Sequence, residues 1–187
     1  RTPDASTDAA WERFLCVVFP ASHLQILSYN RLVHDLNGMQ PEVFLERLQL
    51  GFEVGPPTDK QVPTQPRSFA MVLDGTWRML KARESVIDER DPVKRLDVAI
   101  LQDHLLHPIL GIDDPRTSSR IRFLGGIRGS QHLADLIAEG EGRVAFSMYA
   151  TPIQELLDVA DAGEVMPPKS TWFEPKLASG LLVHLLD

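Results

Sequence analysis

Three stretches carry residue types that could do chemistry. The first, PRTSSRIRFLGGIRGSQHLA at 115–134, holds Arg116, Arg120, Arg122 and Arg128 and no acidic residue, a local charge of +4. Guanidinium groups recognise phosphate and carboxylate through paired donors. Gly125, Gly126 and Gly129 let the backbone turn into SQHLADLIAEG, a helix whose N-terminus favours anions, with Ser130 as its expected N-cap. On the strand before the turn, Arg120 and Arg122 share one face while Ile121 and Phe123 take the other. The full G-x-G-x-x-G is absent, so dinucleotide binding is weakly supported. The competing reading is a plain glycine turn with arginines paired to Asp113 and Asp114.

The second stretch, GEVMPPKST at 163–171, nearly spells the phosphate loop G-x-x-x-x-G-K-[ST], with Pro168 where glycine is required. Its context is wrong. Gly163 follows a helix, where glycine serves as the left-handed C-cap, and an extended aromatic stretch, STWFEP, follows Lys169. Pro167 and Pro168 also lack the N–H groups that would cradle a phosphate. What survives is a stiff bend presenting Lys169, Ser170, Thr171 and Lys176 to an anion, against the plainer reading of a bend with solvated lysines.

The third stretch is DPVKRLDVAILQDHLLHPILG. On a helix, Asp103 and His107 stand at i and i+4, and Asp97 returns to the side of His104. This pattern suits acid–base work, while a metal site is disfavoured, and a histidine closing a helix is favoured there anyway. His23, His34, His132 and His184 are isolated, and no G-x-S-x-G nucleophile elbow is present.

These residues need elements to position them. The 187 residues suffice for one domain with a real core, and 43% hydrophobic with 24% charged residues is ordinary globular composition. A net charge of −7 opposes general nucleic-acid binding. No apolar run suits a membrane helix. One cysteine, Cys16, excludes an internal disulfide and fits a cytoplasmic protein; within FLCVVFP it is expected to be buried in a strand. A start at Arg1 is expected for a piece of a longer chain. Strands are predicted over WERFLCVVFPAS and LQILSYNRLVHDL, the latter closed by Asn37-Gly38. A hairpin is predicted over SFAMVLDGTWRMLKA, turning at Asp74-Gly75, and a strand over RVAFSMY. Helices are predicted over PEVFLERLQL, from Pro92 to about Pro108, and over PIQELLDVADA with Thr151 and Gln154 as a capping box. A last hairpin is expected through Ser179-Gly180, and the four prolines of 55–66 mark a mobile loop or boundary. The class is α+β, a single domain over 1–187 with a mixed, largely antiparallel sheet and packed helices.

YNRLVHDLNG, LDVAILQDHLLHPILGID, FLGGIRG and ADAGEVMPPKSTWFEPKLASGL together resemble the carboxyl-terminal half of a bacterial family of unknown function, DUF1015, from about Trp11 to Leu186. The resemblance implies that GGIRG and MPPKSTWFEPK are signature segments. It also implies an upstream half with a D-G-H-H-R-type segment similar to ParB/sulfiredoxin-like folds, some of which use nucleotides, including free-serine kinases. No two of the six histidines here are adjacent. The resemblance therefore implies a chain whose site is completed by the upstream half. On this reading an anionic small molecule, with ATP or ADP and Mg²⁺ as the cofactors, meets Arg122, Arg128, Ser130, Lys169, Ser170 and Thr171, with Asp103 and His107 as acid–base candidates for phosphoryl transfer. The alternative is a non-catalytic regulatory or assembly module.

Overall fold

The computed structural model describes residues 12–18, 20–176, 178 and 180–185. Trp11, Ser179 and Leu186 lie outside them, and so does any hairpin through Ser179. The strands are β1 (Gln25–Leu27), β2 (Tyr29–Val33), β3 (Phe52–Pro57), β4 (Ser68–Leu73), β5 (Thr76–Ala82), β6 (Ile121–Gly125), β7 (Val144–Met148) and β8 (Trp172–Glu174). The helices are α1 (Pro41–Leu48), α2 (Asp97–Leu101), α3 (Gln131–Ala138) and α4 (Ile153–Asp161). β1 pairs with β8, and the other six strands form one sheet in the order β3-β5-β4-β7-β2-β6, with every pairing antiparallel. The chain is thus α+β.

Two compact units are distinguished. The larger, Ile26–Trp172, contains the six-stranded sheet. The smaller comprises Arg1–Gln25 and Phe173–Asp187. In it, Phe14, Leu15, Val17 and Val18 are exposed and without strand structure, and Cys16 is an exposed thiol. The expectation of a buried strand over 11–22 is therefore corrected for the described residues 12–18. β-propensity is realised only where a sheet face receives the side chains, and the described residues of this stretch meet none.

The central strands are buried on both sides, because apolar residues alternate between two cores. Val33, Phe69, Met71, Val144, Phe146 and Met148 face the larger cluster, with Phe44, Leu48, Leu96, Ile100, Leu101 and Val159 from the helical side. Leu32, Ala70, Val72, Ala145 and Leu124 face the smaller one, closed by Leu133 and Leu136 of α3 and by Trp77. The β4–β5 hairpin turns at Asp74 and Gly75, both at positive φ, as the right-handed twist of a two-residue hairpin requires.

Gly142 has a packing role: an added Cβ would stand 2.4 Å from Leu32 Cδ1 and 3.2 Å from the Val33 carbonyl oxygen. Gly142→Ala is expected to cost about 1–3 kcal/mol, as overpacking does. Urea unfolding measures this, and an unchanged midpoint would show that Leu32 repacks freely.

Local signals failed at two helix starts. The helix predicted from Pro92 begins at Asp97, five residues later, and passes at Gln102–Leu106 into a π-helical turn, where the His107 N–H donates to the Gln102 carbonyl at 2.9 Å. Thr151 and Gln154 form no capping box. The Thr151 hydroxyl donates to the Ser170 carbonyl instead, and Gln154 donates to Asp158. Among the described residues, no helix is long and apolar enough to cross a membrane.

Candidate functional site

The bend at 163–171 is built from both ends. α4 stops in a paired C-terminal motif: the Gly163 N–H donates to the Ala160 carbonyl and the Glu164 N–H to that of Val159, with Gly163 at φ +73°. Met166 then packs on the larger core. Ser170 is buried, and its hydroxyl donates to the Pro167 carbonyl. Lys169 lies between, exposed and at φ +56°, a backbone region that lysine rarely enters.

That conformation turns the Lys169 carbonyl toward Arg31, whose Nη2 donates to it at 3.2 Å. Arg31 is 3% exposed on β2. Its other partners are the Tyr29 carbonyl and the ring of Phe123, whose centroid is 4.7 Å from Cζ. No carboxylate pairs with it among the described residues, and burial pushes the guanidinium down to about 9. A lone arginine inside a strand pattern gave no sequence signal of this.

Trp172 completes the corner. Its ring lies 5.2 Å from that of Tyr29, and Lys169 Nζ stands 5.2 Å from the other aromatic centroid, that of Tyr29. Gly125 is what admits the indole, since a Cβ there would meet Trp172 Cζ3 at 2.4 Å. In the antiparallel register Gly125 lies opposite Tyr29. The two signature segments of the sequence, GGIRG and MPPKSTW, therefore meet, and glycine is required by the contact.

The arginine-rich stretch is mostly paired. Arg116 makes a two-pronged pair with Asp114, Arg120 bonds Asp35 with Nε 2.8 Å from Oδ2, and Arg122 pairs with Glu141. Arg128 is different: among the described residues its side chain has a hydrogen-bond contact only with His132 Nε2, at 3.4 Å. A groove of about 460 Å³ runs along β6, the outer strand of the sheet, and is lined by Arg122, Arg128, Phe123, Gly125, Ile127 and Trp172 among others. Lys169, Ser170 and Thr171 do not line it; they precede Trp172, which does.

Ser130 faces elsewhere. It makes no side-chain cap on α3, and its hydroxyl donates to Gln61 Oε1 at 3.2 Å. With Gly126 and Gly129 it lines a separate cleft under residues 62 and 63. The glycine turn thus serves two cavities, Gly125, Ile127 and Arg128 lining one and Gly126, Gly129 and Ser130 the other.

Asp103 and His107 are not brought together with these groups. The π-turn widens the helical repeat, which removes the i, i+4 alignment. Asp103 lines a third cleft, of about 410 Å³, with His104 and Arg47, and exposed His107 Nε2 lies 3.7 Å from Asp113. Asp97 instead joins Arg67 and Glu155 in a buried ion cluster. Among the described residues, no group of three His, Cys, Asp or Glu is placed to hold a metal.

A family model described as "Protein of unknown function (DUF1015)" matches residues 1–99. A search of curated proteins finds no match. Among solved structures, a mutant free serine kinase in complex with AMP aligns with TM-score 0.47 and 16% identity, covering 82% of this chain and 55% of that one. A mutant of the enzyme in complex with ADP gives 0.45 and 17% over the same shares. A conserved hypothetical protein from Pyrococcus furiosus gives 0.48 and 16%, over 81% of this chain and 56% of its own. The chain thus spans little more than half the length of these solved proteins.

Proposed function

The chain belongs to the DUF1015 family of proteins of unknown function, and from that premise we propose that it binds a phosphorylated small molecule, ATP or ADP first among them, in the groove along β6. One observation carries the proposal: Arg128 has no carboxylate partner among the described residues and shares the groove with an indole, Trp172. An unpaired guanidinium suits a phosphate, and an aromatic face beside it suits a base. Arg31, buried behind Phe123 without a counter-charge, adds positive potential on the same side. Lys169, held over Tyr29, supplies a second cation near the indole and would neutralise charge developing on a transferred group. Mg²⁺ would arrive on the nucleotide phosphates, as it commonly does, since the described residues offer it no ligand cluster.

Phosphoryl transfer also needs an acid–base group at the reacting atom. Neither Asp103 nor His107 lines the groove. We place that group in a complementary part of the protein, an upstream half on this reading. Ser170 acts in this scheme by fixing the bend, Thr171 carries the chain on to Trp172, and Arg122 forms part of the groove wall while paired with Glu141.

Calorimetry with ADP and Mg²⁺, on this chain and on an upstream-extended one, tests the proposal. Arg128→Ala is expected to weaken binding by about 10–100-fold, the worth of a hydrogen bond to a charged group. Absence of binding in both chains, or binding undiminished in Arg128→Ala and in Lys169→Ala, would remove the reading. The alternative, an assembly module, is favoured by the edge position of β6, whose outer N–H and C=O groups can accept another strand. Under it, a strand-forming segment and not a nucleotide would occupy the groove.

A further inference from the structure

On the α3 face of the sheet lies a cleft of about 250 Å³, smaller than the roughly 300–1,000 Å³ of sites for drug-sized ligands. Asn30 of β2 and Ser147 of β7 form its floor. The register that sets Arg31 opposite Phe146 puts these two polar residues side by side on an otherwise apolar face. Ser28, Gly129 and Ser130 close one side. The roof is the proline-rich loop: Val62 and Pro63 line the cleft, while Gln61 fastens the loop to α3 by accepting from Ser130 and donating to Gln131 at 3.0 Å.

Asn30 is 3% exposed, and its orientation follows from its partners. Oδ1 accepts from the Met148 N–H at 3.0 Å and from the Ser28 hydroxyl at 3.2 Å, so the amide nitrogen is the end left over. That NH₂ group has no protein partner among the described residues. Ser147, 2% exposed, likewise has a hydroxyl without a protein partner among the described residues. Both residues line the cleft, so a molecule bound there can take hydrogen bonds that the fold leaves unused. Beside them α3 begins without a side-chain cap; the Leu133 N–H donates to the Ser130 carbonyl, and the positive end of the helix dipole lies next to Ser130 on the cleft wall.

We infer that this cleft binds a small monocarboxylate carrying further hydroxyl or carbonyl oxygens. The donors on the floor, an amide and a hydroxyl, beside the positive end of the α3 dipole, ask for acceptor oxygens and tolerate a single negative charge. Among the described residues, no Lys or Arg lines the cleft to balance a phosphate dianion, and no Asp or Glu lines it to pair an ammonium. Amino acids and phosphate esters are thereby excluded in favour of hydroxy or keto acids. Neither Arg128 nor Trp172 lines the cleft, so the inference stands or falls apart from nucleotide binding in the groove.

The test titrates D-glycerate, glycerol and L-serine into the chain, followed by NMR of the backbone amides. Glycerate is expected to shift the Gly129, Ser130 and Ser147 amides, with glycerol and serine at least about tenfold weaker. Asn30→Asp keeps the Oδ1 acceptor but replaces the free donor with negative charge. It is expected to weaken glycerate by about tenfold or more while the thermal midpoint shows the fold kept. Ser147→Ala, which removes no protein hydrogen bond, should weaken it by a smaller factor. No glycerate binding, glycerol or serine binding as tightly, or undiminished binding in both variants would each overturn the inference.

Discussion

Arg67→Ala is expected to cost about 3–5 kcal/mol of folding stability, the usual result of removing one partner from a buried ion pair. The Arg67 backbone N–H and Nη1 both donate to Asp97 Oδ1, at 2.8 and 3.1 Å, and Nη1 also donates to Glu155 Oε1 at 2.9 Å. A positive φ of 63° at Arg67 lets backbone and side chain reach one carboxylate. One residue thereby ties the starts of α2 and α4 to β4. Without it, two carboxylates face each other in a poorly solvated site, where Arg67 Nε and Asp97 Oδ2 are already unpartnered.

The loss should depend on pH in a definite direction. Burial pushes the Asp97 carboxyl up from 3.8 to about 6, in spite of the hydrogen bonds from Arg67. Because the folded value lies above the unfolded one, the Asp97 contribution to stability is fully present below about pH 4. It is lost as pH rises through about 6. Removing Arg67 raises the carboxyl further, so the deficit of Arg67→Ala should widen between about pH 5 and about pH 8. Urea unfolding at the two pH values measures it. A pH-independent deficit would assign the loss to packing, and adding Asp97→Asn to the variant should recover much of it at the higher pH.

Gly125→Ala is the second large effect, and it couples fold to site. The Gly125 backbone is extended, at φ −62° and ψ 136°, so alanine meets no backbone strain. The obstacle is the indole: Cβ would lie 2.4 and 2.6 Å from Cζ3 and Cε3 of Trp172. The ring must leave its place against Tyr29, at a cost of about 1–3 kcal/mol. If the groove binds nucleotide through that indole, affinity falls with it, by about tenfold or more, roughly the value of one stacked base. A thermal melt reads the first effect and calorimetry the second. A variant with native stability and native Trp172 fluorescence would show that the corner adapts.

Much of the architecture was legible because it obeys short-range rules. Asp74-Gly75 reads as a hairpin turn since both residues tolerate positive φ, and Gly163 reads as a helix end for the same reason. The alternation in RVAFSMY places Val144, Phe146 and Met148 on one face, where the larger core receives them. Local rules failed where a distant group competed. Ser130 was expected to cap α3, but Gln61, 69 residues away, takes its hydroxyl. The hydroxyl of Thr151 went to Ser170 in the same way.

The sequence by itself determined that this is an α+β chain with a largely antiparallel sheet, an arginine-rich glycine turn and a stiff Lys169 bend. Tertiary structure decided what those features can do. It paired Arg120 with Asp35 across 85 residues, left Arg128 without a carboxylate among the described residues, and set Trp172 against Gly125. It also made a π-turn that parted Asp103 from His107. The physical reason is range. Turn and cap preferences depend on φ, ψ and a few neighbouring atoms, which adjacent residues specify. The partner of a charge, and whether a donor is left open, depends on every chain segment that packs around it.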